Sequence, residues 1–129
     1  AVVYGLHHPE LFSMVFDMSG YLRRQPLEFL KNDPSAEWRQ QVVEDHNPIR
    51  TIENASPQQV QAWKTVRWFV DCGDQDFTLE GNMDLVKAFR LQGIGYQMRV
   101  RSGGHDWNYW HGSLDLALTY FTQCLPQDS

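Results

Sequence analysis

The stretch Val66-Arg67-Trp68-Phe69-Val70-Asp71-Cys72-Gly73-Asp74-Gln75-Asp76, read together with Tyr96-Gln97-Met98-Arg99-Val100-Arg101-Ser102-Gly103-Gly104-His105, decides the fold of this chain. The run 66–72 is β-branched and aromatic and closes on Gly73, as a buried strand does. Tyr96–Arg101 alternates strictly between apolar and polar side chains, which suits a strand with one wet face or a place at a sheet edge. Between them the spacing predicts a helix over 82–92. Asn82 suits an N-cap, Met83, Val86 and Phe89 repeat at helical intervals, and Gly93 suits a C-terminal stop. Strand, helix and strand in so short a span form a βαβ unit, with parallel strands and a right-handed crossover. The fold class is α/β.

Working outward, Met14–Met18 is a mostly apolar run closed by Ser19-Gly20 and reads as a third strand. A last helix is expected from about Asp106, with Trp107, Trp110, Leu114, Leu118, Phe121 and Leu125 forming its apolar stripe and Asn108, Asp115, Thr119 and Thr122 on other faces. The stretch 21–62 has a different texture. It holds Pro26, Pro34, Pro48 and Pro57, four of the six prolines, and short helices are expected over 36–43 and Pro57–Trp63. It reads as an irregular excursion between two strands, a lid-like or substrate-facing insertion, with Trp38 and Trp63 available to a substrate wall or to core packing.

The 129 residues fit one ordinary domain and bury enough surface for a core without metal or disulfide staples. A net charge of -5, from 16 acidic against 11 basic side chains with no dense basic stripe, excludes a phosphate-backbone partner, so no nucleic acid is expected. No apolar run approaches a membrane span, and Ala1-Val2-Val3-Tyr4 has neither an initiator Met nor a charged signal-peptide start. Cys72 and Cys124 have no ligand-like spacing and read as small apolar residues. His7-His8, His46 and His111 lack metal-ligand spacing, so no metal site is expected. The glycines at 93 and 95 precede a strand, which argues against a dinucleotide fingerprint. No cofactor is called for, and Asn54-Ala55-Ser56 reads as a chance glycosylation match.

In a parallel sheet the loops leaving the carboxyl ends of the strands form the ligand edge. Gly73-Asp74-Gln75-Asp76-Phe77 and Ser102-Gly103-Gly104-His105-Asp106 are two such loops. Parallel neighbouring strands carry an acid of the first and the imidazole of His105 to one edge. A carboxylate on one ring nitrogen fixes the tautomer and leaves the other nitrogen as a general base. From the residues alone, Asp74 and Asp76 are both open for the acid, and each also suits a plain turn former.

These loops resemble the esterase-D-like branch of the α/β-hydrolase superfamily, which includes feruloyl, acetyl-xylan and enterochelin esterases, S-formylglutathione hydrolases and mycolyltransferases. The resemblance runs from Tyr4-Gly5-Leu6-His7-His8-Pro9-Glu10-Leu11-Phe12, similar to the helix after the nucleophile, through Met18-Ser19-Gly20 and Cys72-Gly73-Asp74-Gln75-Asp76. It ends in Gly103-Gly104-His105-Asp106-Trp107-Asn108-Tyr109-Trp110, whose Gly-Gly-His-x-Trp-x-x-Trp string is its specific part. By position it implies His105 as general base and Asp76 as its orienting acid, with Asp74 the fallback. It also implies a small-molecule or carbohydrate ester as substrate, no cofactor, and a secreted or periplasmic setting.

A nucleophile elbow, Gly-x-Ser-x-Gly, is absent from the 129 residues. Ser19 comes closest, yet Asp17-Met18-Ser19-Gly20 matches a different segment of the family. The expectation is that residues 1–129 are the C-terminal half of one α/β-hydrolase domain, with the serine and oxyanion donors upstream of Ala1 in a missing N-terminal half. Alone the segment should be inactive and poorly behaved, exposing a sheet edge and apolar faces. Rival expectations are a mycolyltransferase-like acyltransferase and a non-catalytic hydrolase-like binding domain; the oligomeric state is open.

Overall fold

In the computed structural model, which describes residues 1–22 and 28–126, the decisive stretch becomes the middle of a parallel sheet. Strands β1 (Met14–Met18), β2 (Arg67–Gly73) and β3 (Tyr96–Arg101) lie in the order β1-β2-β3, with Met14 opposite Arg67 and Trp68 opposite Tyr96. The helices are α1 (Val2–His7), α2 (Ala36–Asp45), α3 (Pro48–Glu53), α4 (Pro57–Trp63), α5 (Leu79–Leu91) and α6 (Trp107–Cys124), with a 3-10 turn at Glu28–Leu30.

β2 is buried along both faces after Arg67, because it has a strand on either side and helices above and below. β3 pairs only with β2 among the described residues, and its alternation is that of an edge strand. Val100 breaks the pattern: it is half exposed at the carboxyl end, whereas Tyr96 and Met98 on the same face pack against the core.

One large core fills the face of the sheet that carries α1, α3 and α5. Val15, Trp68 and Val70 meet Leu85 and Phe89 of α5, Ile49 and Ile52 of α3, and Val2 and Leu6 of α1. The indole N–H groups of Trp63 and Trp68 are both satisfied, by the carbonyls of Leu6 (2.8 Å) and Trp63 (3.0 Å). Trp63 thus belongs to the core and not to a substrate wall, whereas Trp38 is exposed on α2.

Several expectations are corrected. α5 starts at Leu79, three residues before the expected cap. Asn82 lies inside the helix, fully buried, and its amide donates to the carbonyls of Gly20 (2.9 Å) and Thr78 (2.9 Å). A buried Asn that ties two backbone segments is indistinguishable from a cap by residue type. Met83 faces out, while Gly93 does stop the helix: it takes φ +68°, with Ile94 N–H on Phe89 O (2.9 Å) and Gly93 N–H on Arg90 O (3.1 Å), a Schellman closure. α3 was not expected, although Asn47-Pro48 announces it. Asn47 Oδ1 accepts from the N–H of Ile49 and Arg50, and Pro48 fills the first turn. α1 ends at His7 because Pro9 holds His8 out of the helical region, so only the first part of the Tyr4-to-Phe12 string is helical. In the excursion 21–62, residues 23–27, with Pro26, lie outside the described residues.

The last helix turns a different face to the sheet than the one expected. Its packed side chains are Tyr109, Ser113, Ala117 and Tyr120, while Trp107 (72% exposed), Leu114 (50%) and Leu118 (52%) point outward. Small Ser113 and Ala117 let the helix backbone approach the sheet, where Tyr120 meets Phe69 and Phe16. The larger apolar stripe falls beside β1, where Met18, Trp107, Trp110 and Leu114 line one hollow.

Candidate active site

All three strands end at one edge, and each delivers a part of the site. The loops after β2 and β3 are laced together by backbone bonds. Asp74 N–H donates to Arg101 O (2.9 Å), Gln75 N–H to Gly103 O (2.9 Å), and Gly103 N–H to Asp74 Oδ1 (3.0 Å). The approach is so close that a Cβ on Gly73 would stand 2.3 Å from Gly103 O, which is why glycine occupies the end of β2. Asp74 is therefore an exposed tie between the loops.

Asp76 is the acid that reaches the imidazole: its Oδ2 lies 3.0 Å from His105 Nδ1. Its other oxygen, Oδ1, accepts from Thr78 N–H (2.8 Å) and Thr78 Oγ1 (2.7 Å), an Asx turn that sets the carboxylate's direction. Burial pushes the Asp76 pKa up, but the Thr78 and His105 bonds outweigh it and hold the group below the usual carboxylate range. An ionised carboxylate at Nδ1 favours the tautomer that leaves Nε2 unprotonated and free to accept a proton. The His105 side chain is 36% exposed, so the imidazole is open to solvent on part of its surface.

Aromatic rings hold the imidazole on two sides. Phe77 lies with its centroid 4.8 Å away at 55°, and Trp110 meets it edge-on at 4.8 Å and 87°. Tyr21 extends the surface from Phe77 (6.0 Å), and Trp107 extends it from Trp110 (5.2 Å).

Below this layer sits a buried polar network. Asp71, wholly buried in β2, accepts from Tyr109 Oη at Oδ1 (2.6 Å) and from Arg101 Nη2 at Oδ2 (2.7 Å). Arg101 Nη2 also donates to Ser113 Oγ (2.7 Å), and its guanidinium lies 4.1 Å over the Tyr109 ring. Burial and the Asp71 bond raise the Tyr109 pKa, so the phenol stays protonated and donates. Both carboxylate oxygens are paired, the condition under which a buried charge is tolerable.

The structure thus brings Asp76 and His105 together and leaves Asp74 out of the pair. Ser19, the nearest thing to a nucleophile in the sequence, is buried with φ +55°, and its Oγ accepts the Trp110 indole N–H at 3.2 Å. It does not sit on an exposed strand-to-helix elbow. Among the described residues no group of three or more His, Cys, Asp or Glu is placed to hold a metal ion, and no helix is long and apolar enough to cross a membrane. Both cysteines are free. Sequence reading missed Thr78, Phe77 and the Asp71–Arg101–Tyr109 network. A signal existed for the first in the Asp-x-Thr spacing, and for the last in an aspartate interrupting an apolar strand beside a parallel strand that ends in Arg101.

Residues 1–121 match the family model Esterase. An acetyl esterase of Caldicellulosiruptor saccharolyticus is 35% identical over 43 residues, which is 33% of this chain and 16% of that protein. The solved structure of a ferulic acid esterase superposes with a TM-score of 0.84 at 34% identity, over 97% of this chain and 47% of that one. An S-formylglutathione hydrolase from Staphylococcus aureus shares the fold, with a TM-score of 0.69 at 22% identity over 92% of this chain and 45% of that one. The chain spans about half the length of these two solved enzymes. With a family match over nearly its whole length and three parallel strands that superpose on part of an esterase sheet, this chain belongs to the Esterase family and carries part of an α/β-hydrolase fold.

Proposed function

We propose that this chain supplies the general base, His105, and the orienting acid, Asp76, of a serine carboxylic-ester hydrolase whose nucleophile and oxyanion donors come from polypeptide outside these 129 residues. The observation that carries this is the 3.0 Å pairing of His105 Nδ1 with the buried Asp76 carboxylate, at the strand edge where such sheets bind ligands. In the reaction, His105 Nε2 takes the serine hydroxyl proton as the oxygen attacks the ester carbonyl. It then gives that proton to the leaving alcohol, later takes one from the water that attacks the acyl-serine, and returns it to the serine oxygen as the acid is released. Asp76 holds the tautomer and stabilises the imidazolium at each stage.

For the substrate we favour acyl esters linked to carbohydrate. The exposed rings of Tyr21, Phe77 and Trp107 around His105 offer flat apolar surface to a sugar or a planar acyl group. The ferulic acid esterase that superposes on this chain supports an ester of a planar aromatic acid. The apolar stripe of α6 beside β1 and the unpaired edge of β1 among the described residues fit a sheet that continues into further polypeptide.

The test is made on the natural polypeptide that contains this chain. A fluorophosphonate should label a serine outside residues 1–129, and His105→Ala should lower turnover of a short-chain aryl ester by about 10³-fold or more. Residues 1–129 alone should give no turnover. Full activity in His105→Ala, or hydrolysis by the isolated chain, would overturn the assignment.

A further inference from the structure

Resting on the assignment of His105 as the base, we infer that Ser19 and Trp110 are a positioning pair that fixes the His105 imidazole from the far side of the site. Asp76 supplies one hydrogen bond, at Nδ1, and one bond does not stop a ring from swinging about its own side-chain torsions. Phe77 blocks one side, and the edge of Trp110 blocks another at 4.8 Å. Trp110 can act as a stop only if its own ring is held. It stands in the first turn of α6, half-open to solvent, and the bond that holds it is Nε1–H to Ser19 Oγ at 3.2 Å, across 91 residues of sequence.

The acceptor is built with unusual care. Ser19 has φ +55°, the left-handed region that residues with a Cβ seldom enter, and it is the only non-glycine residue there among those described. Its backbone N–H is spent on Asp71 O (2.8 Å), which registers it on β2. Gly20 N–H bonds Asp17 Oδ1 at 3.0 Å and closes the turn around it. Glycine would suit the backbone at position 19 better, but it has no hydroxyl to offer Trp110. Strain retained at a buried polar side chain next to a catalytic group points to a role for that side chain. The end of β1 thereby joins the ends of β2 and β3 in holding the base.

Ser19→Gly separates the two roles, because it relieves the backbone while deleting the acceptor. Trp110→Phe keeps a ring against His105 and deletes only the donor. In the natural polypeptide containing this chain, each variant should lower kcat for a short-chain aryl ester by about ten- to a hundredfold with KM changed less than about threefold. The double variant should be no worse than either single, since both remove the same bond. Ser19→Gly should keep or raise the Tm. Imidazole nitrogen NMR should show His105 passing from one Nδ1-protonated form to a mixture of tautomers. Unchanged kcat and tautomer in both variants, with His105→Ala inactive, would overturn the positioning role alone. A kcat loss that merely follows a fall in Tm would overturn it as well. An active His105→Ala would instead overturn the assignment of the base on which it rests.

Discussion

The two faces of the sheet are built to different standards. On the face carrying α1, α3 and α5, Trp68, Val70, Leu85, Phe89, Ile49 and Ile52 are almost wholly shielded and meet one another in a single cluster. On the face carrying α6, Phe69, Tyr109, Ala117 and Tyr120 are buried, but the helix's larger apolar residues lie in solvent beside β1. The first face is a finished core. The second is bound by the polar network of Asp71, Arg101, Tyr109 and Ser113 as well as by apolar burial. The candidate site stands at the seam, with Asp76 reaching it from β2 and His105 from the loop that opens α6. Stability and chemistry are therefore drawn from different halves of the structure.

The largest test of this contrast is a pair of truncations. Measured on residues 1–129 by themselves, Trp68→Ala on the closed face should cost about 3–5 kcal/mol, the range for a fully buried aromatic, whereas Leu118→Ala on the open face should stay within about 0.5 kcal/mol. Denaturant unfolding of the two variants measures both; equal losses would show that the α6 stripe is packed after all.

A second test uses pH. Burial pushes the Asp17 pKa up to about 6, against a partial offset from the Gly20 N–H bond, and its Oδ2 is buried without a partner. A carboxyl whose folded pKa lies above its unfolded value holds extra protons when folded, so its effect on stability worsens as pH rises from about 4 to about 6. Asp17→Asn should therefore stabilise the protein at pH 8, by roughly 3 kcal/mol at most, and the gain should vanish below about pH 4. Asp76 has the opposite sign. Its pKa is depressed, so its contribution is present above the ordinary carboxylate range and is lost as pH falls through its folded value. A gain in Asp17→Asn that is independent of pH would show that the carboxyl is not the source.

The third and smallest effect lies at the seam itself. Gly73→Ala places a methyl against Gly103 O, a backbone atom that cannot step aside without moving its loop. About 1–3 kcal/mol of destabilisation is expected, with the loops of Asp76 and His105 forced apart. The His105 imidazole spectrum should report that separation alongside the fall in melting temperature, and an unaltered spectrum would show that the loops are not rigidly laced.

Local patterns were legible wherever one residue type answers to one physical demand. The three strands follow from β-branched and alternating runs; Gly93 ends one helix through its freedom to take positive φ, and Asp106 begins another through its side-chain cap. Asp76 rather than Asp74 was singled out only with the help of the family resemblance. On spacing, both acids reach the same edge, and the Thr78 bonds that aim Asp76 are made in three dimensions. The face of α6 was misread because hydrophobicity marks what should be covered, while packing against this sheet favoured small Ser113 and Ala117. Asn82 was misread because a residue that caps by bonding backbone can do the same from within a helix.

By itself, then, the sequence determined an α/β fold with parallel strands, an excursion between the first two, and an acid and a histidine on adjoining loops at one strand edge. Periodicity and turn chemistry act over a few residues and survive in one dimension. Only the tertiary structure decided which carboxylate meets His105, which face of α6 is covered, and that Ser19 serves Trp110. Each of those depends on groups from separate strands meeting within hydrogen-bond distance, and strand register and helix rotation set that distance.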